Sequence, residues 1–177
     1  MKKVLFSFVA ILIAVYLGSL FILPHTPQTI IDLLKQKKNL AGFHFENSFQ
    51  SEFLIINYWA SWCPPCIAET PSLIKFTQTH ARQFKLLAIS QDSSLKEIED
   101  FIKTFPSFRN TDTEIIWDDN KELARKMQVV QLPETFIYEM KTNKVLKISG
   151  STNWEDPELL AYIQKYFLSP TSTKDRQ

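Results

Sequence analysis

The sequence predicts an α/β domain: a central mixed sheet flanked by helices, with an N-terminal transmembrane anchor set apart from it. Three observations carry that reading. Short apolar, β-branched runs alternate with segments of helical period after Phe53. Two strand signals near the C-terminus flank Lys141-Thr142-Asn143-Lys144, a hairpin pattern that makes the sheet mixed. A hydrophobic fraction of 45% and an aromatic fraction of 13% over 177 residues suffice for one domain's core and exclude wholesale disorder.

The chain begins Met1-Lys2-Lys3 and continues in a charge-free run from Val4 to Leu23. At about 1.5 Å per residue that run covers roughly 30 Å, the thickness of a bilayer's hydrocarbon core. Tyr16-Leu17-Gly18-Ser19-Leu20-Phe21 offers no small-residue cleavage pattern, which favours an uncleaved anchor over residues 1–23 against a removed signal peptide. Lys2 and Lys3 favour an N-in topology, while Lys35, Lys37 and Lys38 compete from the other end. Residues 24–40 read as a solvated juxtamembrane linker with an amphipathic piece around Leu33 and Leu34.

A domain over 41–168 follows. Phe53–Trp59 is an apolar run of the kind a strand buried on both faces requires. A helix is expected from Cys63 to about His80, with Pro71 inside it as a kink. Lys85–Ser90 is a second buried strand. Ser94 and Glu97 form a capping box, and Leu95, Ile98, Phe101, Ile102 and Phe105 then recur at helical spacing. Ile115–Trp117 is a short strand and Asp119–Met127 a short helix. Thr135–Glu139 and Val145–Ser149 make the hairpin. Asp156 caps a last helix with Pro157 at its first position and Leu159, Leu160, Ile163 and Phe167 on its inner face. A polar tail occupies 169–177.

Composition removes several functions. Twenty Lys and Arg against 19 Asp and Glu leave a net charge of +1, so there is no electrostatic case for nucleic acid. Three glycines argue against a Gly-rich phosphate loop. Two cysteines cannot make a four-Cys zinc site, and His25, His44 and His80 show no paired ligand spacing.

The two cysteines sit in Trp62-Cys63-Pro64-Pro65-Cys66, at the junction of a buried strand and a helix. Free N–H groups and the positive dipole end at a helix N-terminus stabilise a thiolate. Pro64 and Pro65 fit the first turn, where their missing N–H groups would go unpaired anyway, and leave the Cys66 N–H to serve the Cys63 sulfur. A disulfide across two residues constrains almost nothing, so a purely structural bridge is a poor explanation. Redox exchange explains the pair better: Cys63 attacks and Cys66 resolves. Ile67 after Cys66 excludes a Cys-x-x-Cys-His haem attachment site.

The string Asn57-Tyr58-Trp59-Ala60-Ser61-Trp62-Cys63-Pro64-Pro65-Cys66, with Glu69 and Pro71 beyond it, resembles the active site of thioredoxin-like proteins. More narrowly it resembles the membrane-anchored thiol–disulfide oxidoreductases of the TlpA, ResA and CcmG (DsbE) group. Leu132-Pro133-Glu134-Thr135-Phe136 matches that group's proline loop. The resemblance implies a thioredoxin-like fold and a cis peptide between Leu132 and Pro133 facing the cysteine pair. It also implies a substrate groove formed by Trp62, Pro64, Pro65, Leu132, Pro133 and Glu134, although Glu134 could equally face solvent. Gln131 departs from the glycine often found two places before the cis-proline, which bears on substrate fit.

Many thioredoxins carry a buried Asp where this chain has Asn57, which cannot titrate. Glu69, one turn beyond Cys66, is the nearest carboxylate in sequence and the candidate acid or base for Cys66, against the alternative of a solvated surface Glu. The resemblance further implies a reductant, with the domain on the extracytoplasmic or periplasmic side of the cytoplasmic membrane. Its expected partners are protein disulfides in apocytochrome c or the haem-attachment machinery and a membrane electron donor of the DsbD or CcdA type. A monomer without cofactor or metal is expected. A general disulfide reductase, a DsbA-like oxidant and a non-catalytic adaptor are the rival readings.

Overall fold

The computed structural model describes Leu34, residues 51–109 and residues 113–168. The anchor expected over 1–23, most of the linker over 24–40 and the tail over 169–177 lie outside the described residues. Among the described residues no helix is long and apolar enough to cross a membrane.

Among the described residues five strands form one sheet: β1 (Phe53–Trp59), β2 (Phe84–Ser90), β3 (Thr113–Trp117), β4 (Glu134–Glu139) and β5 (Val145–Ser149), in the order β3-β2-β1-β4-β5. β1, β2 and β3 run parallel, while β4 is antiparallel to β1 and to β5, so the sheet is mixed as expected. Among the described residues these helices flank it: α1 (Pro64–Thr79), α2 (Leu95–Thr104), α3 (Glu122–Lys126) and α4 (Pro157–Leu168), with a 3-10 turn at Pro106–Phe108.

All seven residues of β1 are buried because both faces of this central strand are covered. Phe53, Ile55 and Trp59 face a core built with Leu73, Ile74 and Phe76 of α1, Ile98, Phe101 and Ile102 of α2, and Ile163 and Phe167 of α4. Leu54, Ile56 and Tyr58 face the opposite core with Leu123 and Ala124 of α3. Aromatic rings knit the first core: Trp59 lies 4.5 Å from Phe101 and 5.2 Å from Phe108 between centroids.

Local signals place most boundaries. The capping box is closed from both sides, Glu97 N donating to Ser94 Oγ and Ser94 N to Glu97 Oε2. The β4–β5 hairpin turns through Asn143, whose φ of 59° is left-handed, a conformation Asn tolerates well. Asp156 Oδ1 accepts from Glu158 N at the start of α4.

Two expectations are corrected here. The helix expected over Asp119–Met127 is only Glu122–Lys126: Lys121 has a left-handed φ of 57°, and the Asp118 carboxylate reaches ahead to accept from Leu123 N and Ala124 N. Leu34, assigned to a solvated linker, is helical and fully buried in the second core beside Leu54, Ile56 and Tyr58. At that position the apolar side of the amphipathic piece is part of the fold.

Candidate active site

β1 delivers the chain to the edge of the first core, and the turn after it delivers Cys63. Cys63 N donates to Ala60 O at 3.2 Å, and Cys63 then caps α1 in an extended conformation. Its sulfur accepts from Cys66 N at 3.3 Å, the contact that the two intervening prolines leave open. Cys63 and Cys66 are joined in a disulfide with a Cα–Cα separation of 5.3 Å. Pro64 and Pro65 occupy the first turn and are exposed, and Trp62 is 60% exposed beside them. Cys63 is 4% exposed and Cys66 1%, so both are buried, Cys66 the more completely.

Glu69 lies on the inner side of α1, one turn past Cys66. It is only 3% exposed, which removes the alternative of a solvated surface residue. Asn57 Nδ2 donates to Glu69 Oε1 at 2.9 Å, and Thr152 N donates to Oε2 at 3.0 Å. The second Asn57 amide hydrogen goes to Thr135 Oγ1 at 2.9 Å. Burial pushes the Glu69 carboxyl above its ordinary range, because a charge is costly in a low-dielectric interior. The Thr152 N–H and the Asn57 amide pull it back, and burial wins. The Trp154 indole N–H adds to that pull without closing a hydrogen bond of normal geometry. A buried carboxyl whose proton is held more tightly than usual, one helical turn from Cys66, is a candidate proton-exchanging group for that sulfur.

Asn57 therefore has a role the sequence did not assign. It cannot titrate, but it spans β1, α1 and β4 and fixes the Glu69 carboxyl from one side while the 152–154 segment fixes it from the other. Trp154 N also donates to Ser72 Oγ at 3.3 Å, and Lys75 of α1 pairs with Glu155, so the loop before α4 is fastened along α1. Thr152 and Trp154 lie in a segment with no motif, so no signal in the sequence pointed to them. Thr135 stands inside the Pro-Glu-Thr-Phe string, which was the available signal.

The Leu132–Pro133 peptide is cis. The antiparallel register sets Tyr58 opposite Glu134, which carries this peptide to the same sheet end as the Ala60–Cys63 turn. Leu132 packs against the core that contains both cysteines, and Pro133 O accepts from Gly150 N at 2.9 Å. Gln131 and Val130 are exposed just before it, Val130 by 83%.

Glu134 is corrected. Its side chain is 0% exposed, so it does not line a groove and does not face solvent. It accepts from Val130 N at 3.1 Å and Ser149 Oγ at 2.8 Å, and it pairs with Lys147 at 2.9 Å. Strand alternation puts it with Phe136 and Tyr138, on the face away from Asn57 and Glu69. Its work is to hold the loop that presents Val130.

A family model described as thioredoxin-like matches residues 51–145, more than half of the chain. The chain belongs to the thioredoxin-like family. Among curated relatives, the sporulation thiol-disulfide oxidoreductase A of Bacillus subtilis is 30% identical over 112 residues, 59% of this chain and 63% of that protein. The thiol-disulfide oxidoreductase ResA of Geobacillus thermodenitrificans is 27% identical over 119 residues, 64% of this chain and 63% of that one. The matched stretch thus spans less than two thirds of either relative. Among solved structures, StoA from Bacillus subtilis superposes with a TM-score of 0.57 at 24% identity, covering 72% of this chain and 93% of that one. A thioredoxin-family thiol:disulfide interchange protein from Chlorobium tepidum gives 0.58 at 22% identity, covering 71% and 89%. These structures share the fold of this thioredoxin-like domain, and the curated relatives bear out the resemblance to the ResA group.

Proposed function

We propose that this protein is a membrane-anchored, extracytoplasmic thiol–disulfide oxidoreductase that reduces disulfides in apocytochrome c or in the haem-attachment machinery. The observation that carries the redox chemistry is the Cys63–Cys66 disulfide at the start of α1, with the Cys66 N–H on the Cys63 sulfur and the buried Glu69 behind it. The names of the ResA and sporulation relatives support the same reading. The charge-free run from Val4 to Leu23 supports the anchor.

The steps are those of thiol–disulfide exchange. In the reduced protein the Cys63 thiolate attacks one sulfur of a client disulfide, and the client's other sulfur leaves as a thiolate and takes a proton from solvent. Glu69 accepts the Cys66 proton, directly or through water, and the Cys66 thiolate attacks the Cys63 sulfur. The mixed disulfide breaks, the client leaves with both sulfurs reduced, and the Cys63–Cys66 disulfide remains. Two electrons have passed to the client, and a dithiol donor of the DsbD or CcdA type restores the reduced pair. Exposed Trp62, Pro64 and Pro65 and half-buried Leu132 offer the client an apolar surface, with Pro133 buried behind Leu132.

Cys66→Ser tests the client directly. Without the resolving thiol the Cys63–client mixed disulfide accumulates, and mass spectrometry of the trapped adducts identifies the client cysteine. A Cys-x-x-Cys-His peptide or a haem-attachment component is the expected catch. Adducts confined to unrelated extracytoplasmic proteins would replace the cytochrome reading with that of a general reductase.

A further inference from the structure

We propose that Asp92 is a positioning residue for Cys63, acting through the Ser61 turn; the inference rests on the reading of Cys63 as the nucleophile. Asp92 stands two residues past the end of β2 and is completely buried. Its Oδ1 accepts from both Ser61 N at 2.9 Å and Ser61 Oγ at 2.7 Å, and its Oδ2 accepts from Ser90 Oγ at 2.8 Å. The residue is fixed in turn by its backbone. Asp92 N donates to Ser90 Oγ, and Asp92 O accepts from Trp117 Nε1 at 3.0 Å and Lys121 Nζ at 3.0 Å. Lys121 Nζ also donates to Gln91 O, and Gln91 N donates to Trp59 O at 2.7 Å.

Ser61 is the midpoint of the turn that joins β1 to α1. Behind it the chain is held by the sheet, and ahead of it Trp62 stands in solvent and Cys63 caps the helix. A buried carboxylate is costly to keep unless its hydrogen bonds are made, and here two of them converge on this one turn residue. The Asp92 carboxylate thereby sets the height of the turn over the end of β2. That height places the Cys63 sulfur within reach of the Cys66 N–H. Freed from it, the Ser61–Trp62 turn can rotate, and Cys63 loses the donor that stabilises its thiolate. Asp92 touches no reacting sulfur, so its contribution runs entirely through Ser61.

The test is the rate at which iodoacetamide alkylates Cys63 in the reduced full-length chain at pH 7, followed by mass at the Cys63 peptide. Asp92→Ala lowers that rate about tenfold, of the order one hydrogen bond to the turn supplies. Asp92→Asn returns it to within about twofold, since an amide oxygen can still accept from Ser61. Ser61→Ala, which keeps the backbone bond, loses about threefold. Thermal melts run alongside, because a merely structural residue would lower the melting temperature and leave the rates alone. An Asp92→Ala rate equal to wild type overturns the proposal. So does an Asp92→Asn rate as low as that of Asp92→Ala, which would assign the effect to charge. Should Asp92→Ala fail to fold, Ser61→Ala decides, and an unchanged rate there is the overturning result. A wild-type chain that reduces no protein disulfide would remove the oxidoreductase reading, while the alkylation ratios still decide the role of Asp92.

Discussion

Cys63→Ser abolishes disulfide exchange and leaves the fold in place. Serine is a good helix cap, so the Cys66 N–H keeps an acceptor at the start of α1. The lost disulfide closes a loop of two intervening residues and contributes little to stability. What disappears is the attacking sulfur, and the 1% exposed Cys66 cannot substitute. Turbidimetric insulin reduction with dithiothreitol as donor is expected to fall to the uncatalysed background while the thermal melt shifts by only a few degrees. A Cys63→Ser chain that retained its function in cells would identify a non-catalytic adaptor that binds partners through the same apolar surface.

Glu69→Gln is expected to slow release of the mixed disulfide by about a hundredfold, the lower end of what a positioned acid–base group contributes. Attack by Cys63 is affected far less, so stopped-flow traces should show the covalent intermediate accumulating. The loss should also be pH-dependent: at alkaline pH Cys66 ionises unaided and the two proteins converge. Stability gives an independent reading of the same carboxyl. Burial raises its folded pKa above the unfolded value, so the folded state binds this proton more tightly. That contribution is fully present below the unfolded pKa, about 4.3, and is lost as pH rises through the folded value. The stability of wild type relative to Glu69→Gln should therefore decline from pH 4 upward and level off once Glu69 is ionised. Urea unfolding at a series of pH values measures it, and a relative gain with rising pH would contradict the assignment.

The elements legible in the sequence are those whose cause is local. Phe53–Trp59 is a strand buried on both faces and has the nearly continuous apolar run that this demands, broken only by Asn57. Ser94 and Glu97 lie three apart and each bonds the other's backbone, so their box could be read before any fold was known. Cys63, Cys66 and the cis peptide at Pro133 came with a motif. The missed features depend on chain pairing over long separations. Glu134 is buried because the antiparallel register brings Lys147 and Ser149 to it from β5, which no pattern around Glu134 announces. Asn57 and Glu69 were each singled out, but their hydrogen bond crosses from strand to helix. Thr152 closes on Glu69 from 83 residues away in sequence. Asp92 carries no signal of its own in the sequence, because its partner, Ser61, belongs to another connection. Leu34 was read as linker because helical spacing alone does not say which core it will meet.

The reduction potential of the Cys63–Cys66 pair tests the central claim most directly. No Lys, Arg or His stands between Trp62 and Thr70, and Glu69, once ionised, would disfavour a negative charge on its neighbours. Little therefore stabilises the reduced form beyond the helix N-terminus, and a strongly oxidising poise requires such stabilisation. Equilibration of the protein with glutathione or a dithiol is expected to give a value at or below about −220 mV, approaching the thioredoxin range. A value near about −120 mV would make the protein an oxidant and contradict the account.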